Sequence, residues 1–129
     1  MRYYVMAPFV GRYIDREVQL KNCTLKPGNN CFMLMYGLHR NPQWGSDVNE
    51  FDPERWLHPD RMPKNPNLFV GFSLGKRNCI GKAYAMMSMK ILLCHVLRRY
   101  KIHADHTKVE LKLDALLKPV SGHFISIED

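Results

Sequence analysis

With 129 residues, 46% of them apolar, the chain holds enough for one modest core and too little for two. Its 19 Lys/Arg and 12 Asp/Glu give a formal net charge of +7, and its four cysteines show neither a CxxC pair nor a Cys/His spacing that would hold zinc, so a reducing compartment is the simpler reading. No apolar run approaches the roughly 18 residues that span a bilayer, and Met1 to Val10 lacks the apolar stretch of a signal peptide, so these residues supply no membrane anchor.

In chain order, residues 3 to 35 read as short strands separated by turns, with Val18-Gln19-Leu20 and Cys31 to Met35 as apolar runs. Lys26-Pro27-Gly28 fits a type II turn, proline presetting the first central position and glycine supplying the positive φ of the second. From Arg40 to Val70, Pro42, Pro53, Pro59, Pro63 and Pro66 remove too many donors for long helices or central strands. The spacing predicts an irregular meander over 40–71 that follows a small β region at 1–39.

A helix is predicted over 82–100, because Met86, Met89, Leu93, Val96, Leu97 and Tyr100 recur at spacings of three and four and so define one buried face. The alternation of Val109, Leu111 and Leu113, followed by Phe124, Ile125 and Ile127, predicts a terminal hairpin within 101–129. Residues 76 to 112 carry nine Lys/Arg against Asp105 and Glu110, a balance of 9 − 2 = +7, so this segment holds the whole net charge and invites an anionic partner. The basic residues are scattered around the helix rather than aligned on one face, and the aromatics form no stacking platform; the pattern does not read as nucleic-acid binding.

Chemistry concentrates in "FSLGKRNCIG", residues 72 to 81, just ahead of the helix. A helix start favours negative charge, and Arg77 adds a positive charge nearby; both favour Cys79 as a thiolate and as a metal ligand. Gly75 and Gly81 let the backbone bend and come close to something flat beside the sulfur. A phosphate-loop reading fails on register, because Val70 and Lys76 stand where the first glycine would be needed. Cys23, Cys31 and Cys94 read as packing residues, the helix methionines as core filling and His95 as an ordinary helix residue, while His103 and His106 lack a third ligand.

Phe72, Gly75, Arg77, Cys79 and Gly81 together match FxxGxRxCxG, the haem-binding signature of the cytochrome P-450 family, a coincidence expected in roughly one chain in 10⁵ of this length. "HRNP" at 39 to 42 and "FDPERW" at 51 to 56 resemble the segment before the family's meander, and "APFVGR" at 7 to 12 resembles the strand after its K helix. The helix from Lys82 is similar to its L helix, and "LKPVSG" at 117 to 122 to its terminal hairpin. The fold implied is the C-terminal portion of a mainly α protein with small β sheets, 72–81 being the Cys loop.

The resemblance implies a monooxygenase that places one oxygen atom of dioxygen in an apolar substrate, using haem b and electrons from NADPH through a reductase-type partner. By that resemblance Cys79 is the axial thiolate on haem iron, Phe72 shields the sulfur, and Arg77 and Arg12 pair with haem propionates. Arg55 stands as the structural arginine of the PERF-type motif, and Lys76 and Lys82 flank the loop where an acidic electron donor docks. The general texture resembles the animal microsomal branch, whose members sit on the cytosolic face of the endoplasmic reticulum membrane through an N-terminal anchor. No ExxR motif occurs, so Arg55 is expected to be without its partners, and the chain is expected to be about the last quarter of a longer enzyme, inactive alone. The alternative is a non-enzymatic basic fragment that binds anionic partners without haem.

Overall fold

The computed structural model describes residues 1–129, and the chain divides into two compact units, Met1–Gly71 and Phe72–Asp129. In the first unit, β1 (Phe9–Tyr13) pairs antiparallel with β4 (Asn30–Leu34), Gly11 facing Phe32 in the register. A Cβ at Gly11 would lie 3.3 Å from the Phe32 ring, so the missing side chain lets that ring lie across the strand. Between them, β2 (Val18–Gln19) and β3 (Thr24–Leu25) form a second ribbon, and Pro27 and Gly28 turn the chain back with Gly28 at φ 84°.

Two strand boundaries differ from expectation. Tyr3 to Pro8 is not a strand, and Met35 leaves β4 to open the short helix α1 (Met35–Leu38). The amide of Tyr36 donates to the Pro8 carbonyl at 3.0 Å, which seats α1 on the start of β1. Val5, Met35 and Val70 form the buried apolar cluster, with Val10, Tyr36 and Leu38 packed around it.

The proline-rich stretch is built from four 3₁₀ turns, Pro42–Trp44, Glu54–Leu57, Pro59–Arg61 and Pro66–Leu68. The sequence specifies them locally. Proline at or just before the first turn position gives up an amide that would have been unpaired there. The preceding Asn41, Asp52 and Asn65 each accept a backbone N–H through side-chain oxygen, all at 3.0 Å, from Gln43, Glu54 and Asn67.

The second unit carries α2 (Lys82–Leu97), the one long helix, so the chain itself consists of small antiparallel sheets and few helices. Regular helix stops three residues short of the expected Tyr100, although the amides of Arg98 and Tyr100 still donate to the Cys94 and Val96 carbonyls. No residue of α2 is buried, contrary to the single buried face expected; Met86 and Val96 on that face are half-covered. Exposed Tyr84, Met87, Ile91 and Leu92 show that apolar side chains surround the helix, the pattern of one covered on several sides by a larger core. The terminal region holds two ribbons rather than one: β6 (Leu111–Leu113) with β7 (Leu117–Pro119), and β5 (Lys101–His103) with β8 (Ser126–Glu128).

Candidate functional site

The segment from Phe72 to Gly81 folds into a closed loop. Gly75 at φ 73° starts a 3₁₀ turn through Arg77, and the Asn78 amide donates to the Gly75 carbonyl at 3.1 Å. Nothing lies within 4 Å of a Cβ built on Gly75, so glycine is required there for its backbone angle and not for space. The Cys79 amide then donates to the Phe72 carbonyl at 2.9 Å, returning the chain to where the loop began. Gly81 caps α2 with an ordinary φ of −82°; its contribution is an open side, with a built Cβ lying 3.8 Å from the Cys79 sulfur.

Cys79 is exposed, and the loop presents its thiol beside exposed Ile80. Ile80, Tyr84, Met87 and Ile91 follow at spacings of four, three and four, an uncovered apolar stripe running from the cysteine along α2. Arg77 is exposed and forms no ion pair within the chain. No group of three or more His, Cys, Asp or Glu could hold a metal. A single soft ligand suffices only when the remaining donors come with the metal, as four macrocycle nitrogens do. One thiol, an exposed guanidinium without an ion pair and an exposed apolar stripe are chemically compatible with a flat metal macrocycle that carries carboxylates.

The formal charge of the second unit divides unevenly. Lys101 pairs with Glu128 at 3.5 Å, Lys108 with Asp105 at 3.5 Å, and Lys112 and Lys118 with Asp114 at 3.8 and 2.7 Å. Lys76, Arg77, Lys82, Lys90 and Arg98 have no acidic partner, so the unneutralised charge lies around the cysteine loop and along α2.

Arg12 and Arg55 belong to the first unit. Arg12 is half-buried opposite Cys31, and its Nη1 donates to the Gly11 carbonyl at 2.8 Å. Arg55 is 1% exposed, and in place of the absent ExxR pair it holds other groups of the first unit. Its Nη2 lies 2.7 Å from Asp47 Oδ2 and its Nη1 donates to the Trp44 carbonyl at 2.5 Å. Arg61 bridges the same Asp47 oxygen at 2.9 Å and Asp52 Oδ2, and these guanidinium contacts hold the Asp47 carboxyl below the usual carboxylate range. The Nε of Arg55 is buried with no hydrogen-bond partner.

Sequence reasoning missed two further buried polar residues. The Arg2 guanidinium donates to the carbonyls of His39, Val48 and Glu50 at 3.0, 2.8 and 3.0 Å and lies over the Trp44 ring. His39 is fully buried between the Arg2 carbonyl and the Val70 amide, stacked on Phe69. Neither carries a local signal, because each acts on backbone atoms more than 30 residues away.

The model of the cytochrome P450 family matches residues 1–126. Cytochrome P450 4g1 of Drosophila melanogaster is 34% identical over 99% of this chain and 24% of its own length, and human cytochrome P450 4F12 is 32% identical over 99% of this chain and 25% of its own. The probable cytochrome P450 313a1 of Drosophila melanogaster is 40% identical over 79% of this chain and 21% of its own length. The chain spans about a quarter of the length of these relatives.

Proposed function

The chain belongs to the cytochrome P450 family, and from that premise we propose that it is the haem-ligand portion of a monooxygenase, with Cys79 as the thiolate on the iron. The observation that carries this reading is the exposed Cys79 thiol at the head of an uncovered apolar stripe, in a loop closed by the Cys79 amide on the Phe72 carbonyl. When bound, haem b supplies the activation of dioxygen and the transfer of one oxygen atom to an apolar substrate.

The roles assigned to the chain's own residues follow the family resemblance. Cys79 holds the metal from one side and donates electron density; Gly81 leaves that side open. Arg77, without an ion pair in the loop, would take one carboxylate of the porphyrin, and by the family resemblance Arg12 would take a second. By the same resemblance Phe72 would shield the sulfur once haem is bound. Arg55 organises the meander, and its unfilled Nε is reserved for the carboxylate of an ExxR motif in the remainder of the enzyme. That remainder also covers α2, completes a mainly α fold and walls the substrate pocket. No helix here is long and apolar enough to cross a membrane; attachment at the cytosolic face of the endoplasmic reticulum membrane through an N-terminal part rests on the family resemblance alone.

Lys76 and Lys82, unneutralised on either side of the cysteine, form the docking surface for an acidic, NADPH-fed reductase. Lys76→Glu combined with Lys82→Glu is expected to slow reductase association on the order of tenfold at low salt, and progressively less as salt rises. Stopped-flow association rates unchanged across ionic strength would remove this surface from the reading.

The central test is optical. The reduced, carbon monoxide-bound protein is expected to show the red-shifted Soret band of thiolate ligation, and Cys79→Ala to abolish it. If haem is added and the band never forms, the basic, haem-free fragment becomes the better reading, in keeping with an α2 that no part of this chain buries.

A further inference from the structure

Ser73 is the one residue other than glycine with positive φ, at 61°. A left-handed backbone is disfavoured for an L-residue, and serine has none of glycine's freedom from that penalty. Such a conformation persists only where its surroundings impose it, and it gathers at functional positions.

The geometry points to Ser73 as a positioning residue for Cys79, acting through the backbone. Rotation about the Ser73 N–Cα bond swings the peptide plane between Phe72 and Ser73, and that plane contains the Phe72 carbonyl. It is this carbonyl that accepts the Cys79 amide at 2.9 Å. With Leu74 extended at φ −135°, ψ 162°, and Gly75 left-handed at φ 73°, the chain reverses twice within three residues and brings Cys79 back onto Phe72. A Ser73 relaxed to the ordinary negative φ rotates the Phe72 carbonyl by more than a right angle, away from the Cys79 amide. The closed loop that presents the thiol is thus held by the sign of one backbone angle. Gly75 supplies the second reversal without strain; Ser73 supplies the first against it.

For its spectroscopic arm this inference rests on the haem-thiolate reading; for its backbone arm it does not. The experiment is amide hydrogen exchange of the chain, followed by NMR at Cys79, with the Ala85 amide, bonded to the Gly81 carbonyl at 2.8 Å, as the reference for intact structure. Ser73→Gly is expected to exchange at Cys79 as slowly as the parent or more slowly. Ser73→Val, whose branched Cβ disfavours positive φ most, is expected to exchange at least about tenfold faster there, with Ala85 unchanged.

Should Ser73→Val also speed Ala85, the comparison passes to Ser73→Asn against Ser73→Ala, since asparagine tolerates left-handed backbone better than alanine. Slower Cys79 exchange in the asparagine variant supports the assignment. Equal exchange in Gly and Val variants, or in Asn and Ala variants, overturns it. With haem added, Ser73→Val is expected to move the reduced, carbon monoxide-bound Soret band away from the thiolate position while Ser73→Gly keeps it; an unmoved band in Ser73→Val overturns the thiol-positioning role. A parent protein without the thiolate band defeats the haem reading, and the exchange comparison still decides whether Ser73 sets the loop.

Discussion

Arg55→Met is expected to lower the stability of the first unit by about 2–3 kcal/mol, read as a lower urea midpoint at unchanged slope. The guanidinium is buried at 1% exposure and does two things at once, holding the Trp44 carbonyl through Nη1 and Asp47 through Nη2. Methionine fills similar volume and does neither. The Trp44 carbonyl is then left inside without a donor, whereas Asp47 keeps Arg61 and, being 35% exposed, also keeps water. That exposure places the expected loss below the range for breaking a fully buried ion pair. Arg55→Lys should recover only part of it, because a single ammonium cannot serve two acceptors in the planar fork of a guanidinium. Asp47→Asn tests the same network from its other end: in combination with Arg55→Met it should cost less than the two single changes added together. An Arg55→Met midpoint equal to the parent's would mean that the meander is held by its aromatic core alone.

The residues legible in the sequence are those whose structure is decided by near neighbours. The 3₁₀ turns at Pro42 and Pro66 follow from proline geometry and from an Asn cap one residue ahead, and the turn at Pro59 from proline geometry alone. The start of α2 at Lys82, the turn at Pro27-Gly28 and the Gly75 reversal are equally local. What escaped reading depends on distant or absent surfaces. The apolar period of α2 promised a buried face, but burial needs an opposing surface, and none of its side chains is buried here. Sequence reasoning considered only ExxR partners for Arg55; the partner present here, Asp47, is brought back by the turn at Gly45, where φ is 113°. A Cβ on Gly45 would lie 2.7 Å from Asp47 Oδ1, so the glycine and the aspartate form one device that no spacing rule reveals. Ser73 was hidden for the opposite reason, since nothing about serine announces a positive φ.

Between pH 6.5 and about 4 the first unit is expected to lose up to about 3 kcal/mol of stability through His39 alone. The partners fix the tautomer: the Arg2 carbonyl can only accept, so Nδ1 carries the hydrogen, and the Val70 amide can only donate, so Nε2 is the acceptor at 2.9 Å. Protonating Nε2 would set a donor against a donor at a fully buried position, next to the Arg2 and Arg40 charges. Burial, foremost, pushes the His39 pKa down to about 4 from 6.5. The sign follows from the depressed value. Above pH 6.5 both folded and unfolded chains hold the ring neutral and the stability is complete. As pH falls below 6.5 the unfolded chain takes up a proton that the folded chain refuses, and stability drops by about 1.4 kcal/mol per pH unit until the folded ring also titrates near 4. His39→Gln, whose amide can present one donor and one acceptor, should remove this slope while leaving the neutral-pH fold in place. His39→Phe orphans both the Arg2 carbonyl and the Val70 amide and should cost about 2–4 kcal/mol at neutral pH, a deficit that shrinks below pH 6.5 as the parent loses its own His39-linked stability. Urea midpoints measured from pH 7.5 to 4.5 for the parent and His39→Gln isolate the effect, because every other titrating group is common to both; parallel curves would show that the ring is not the group that refuses the proton.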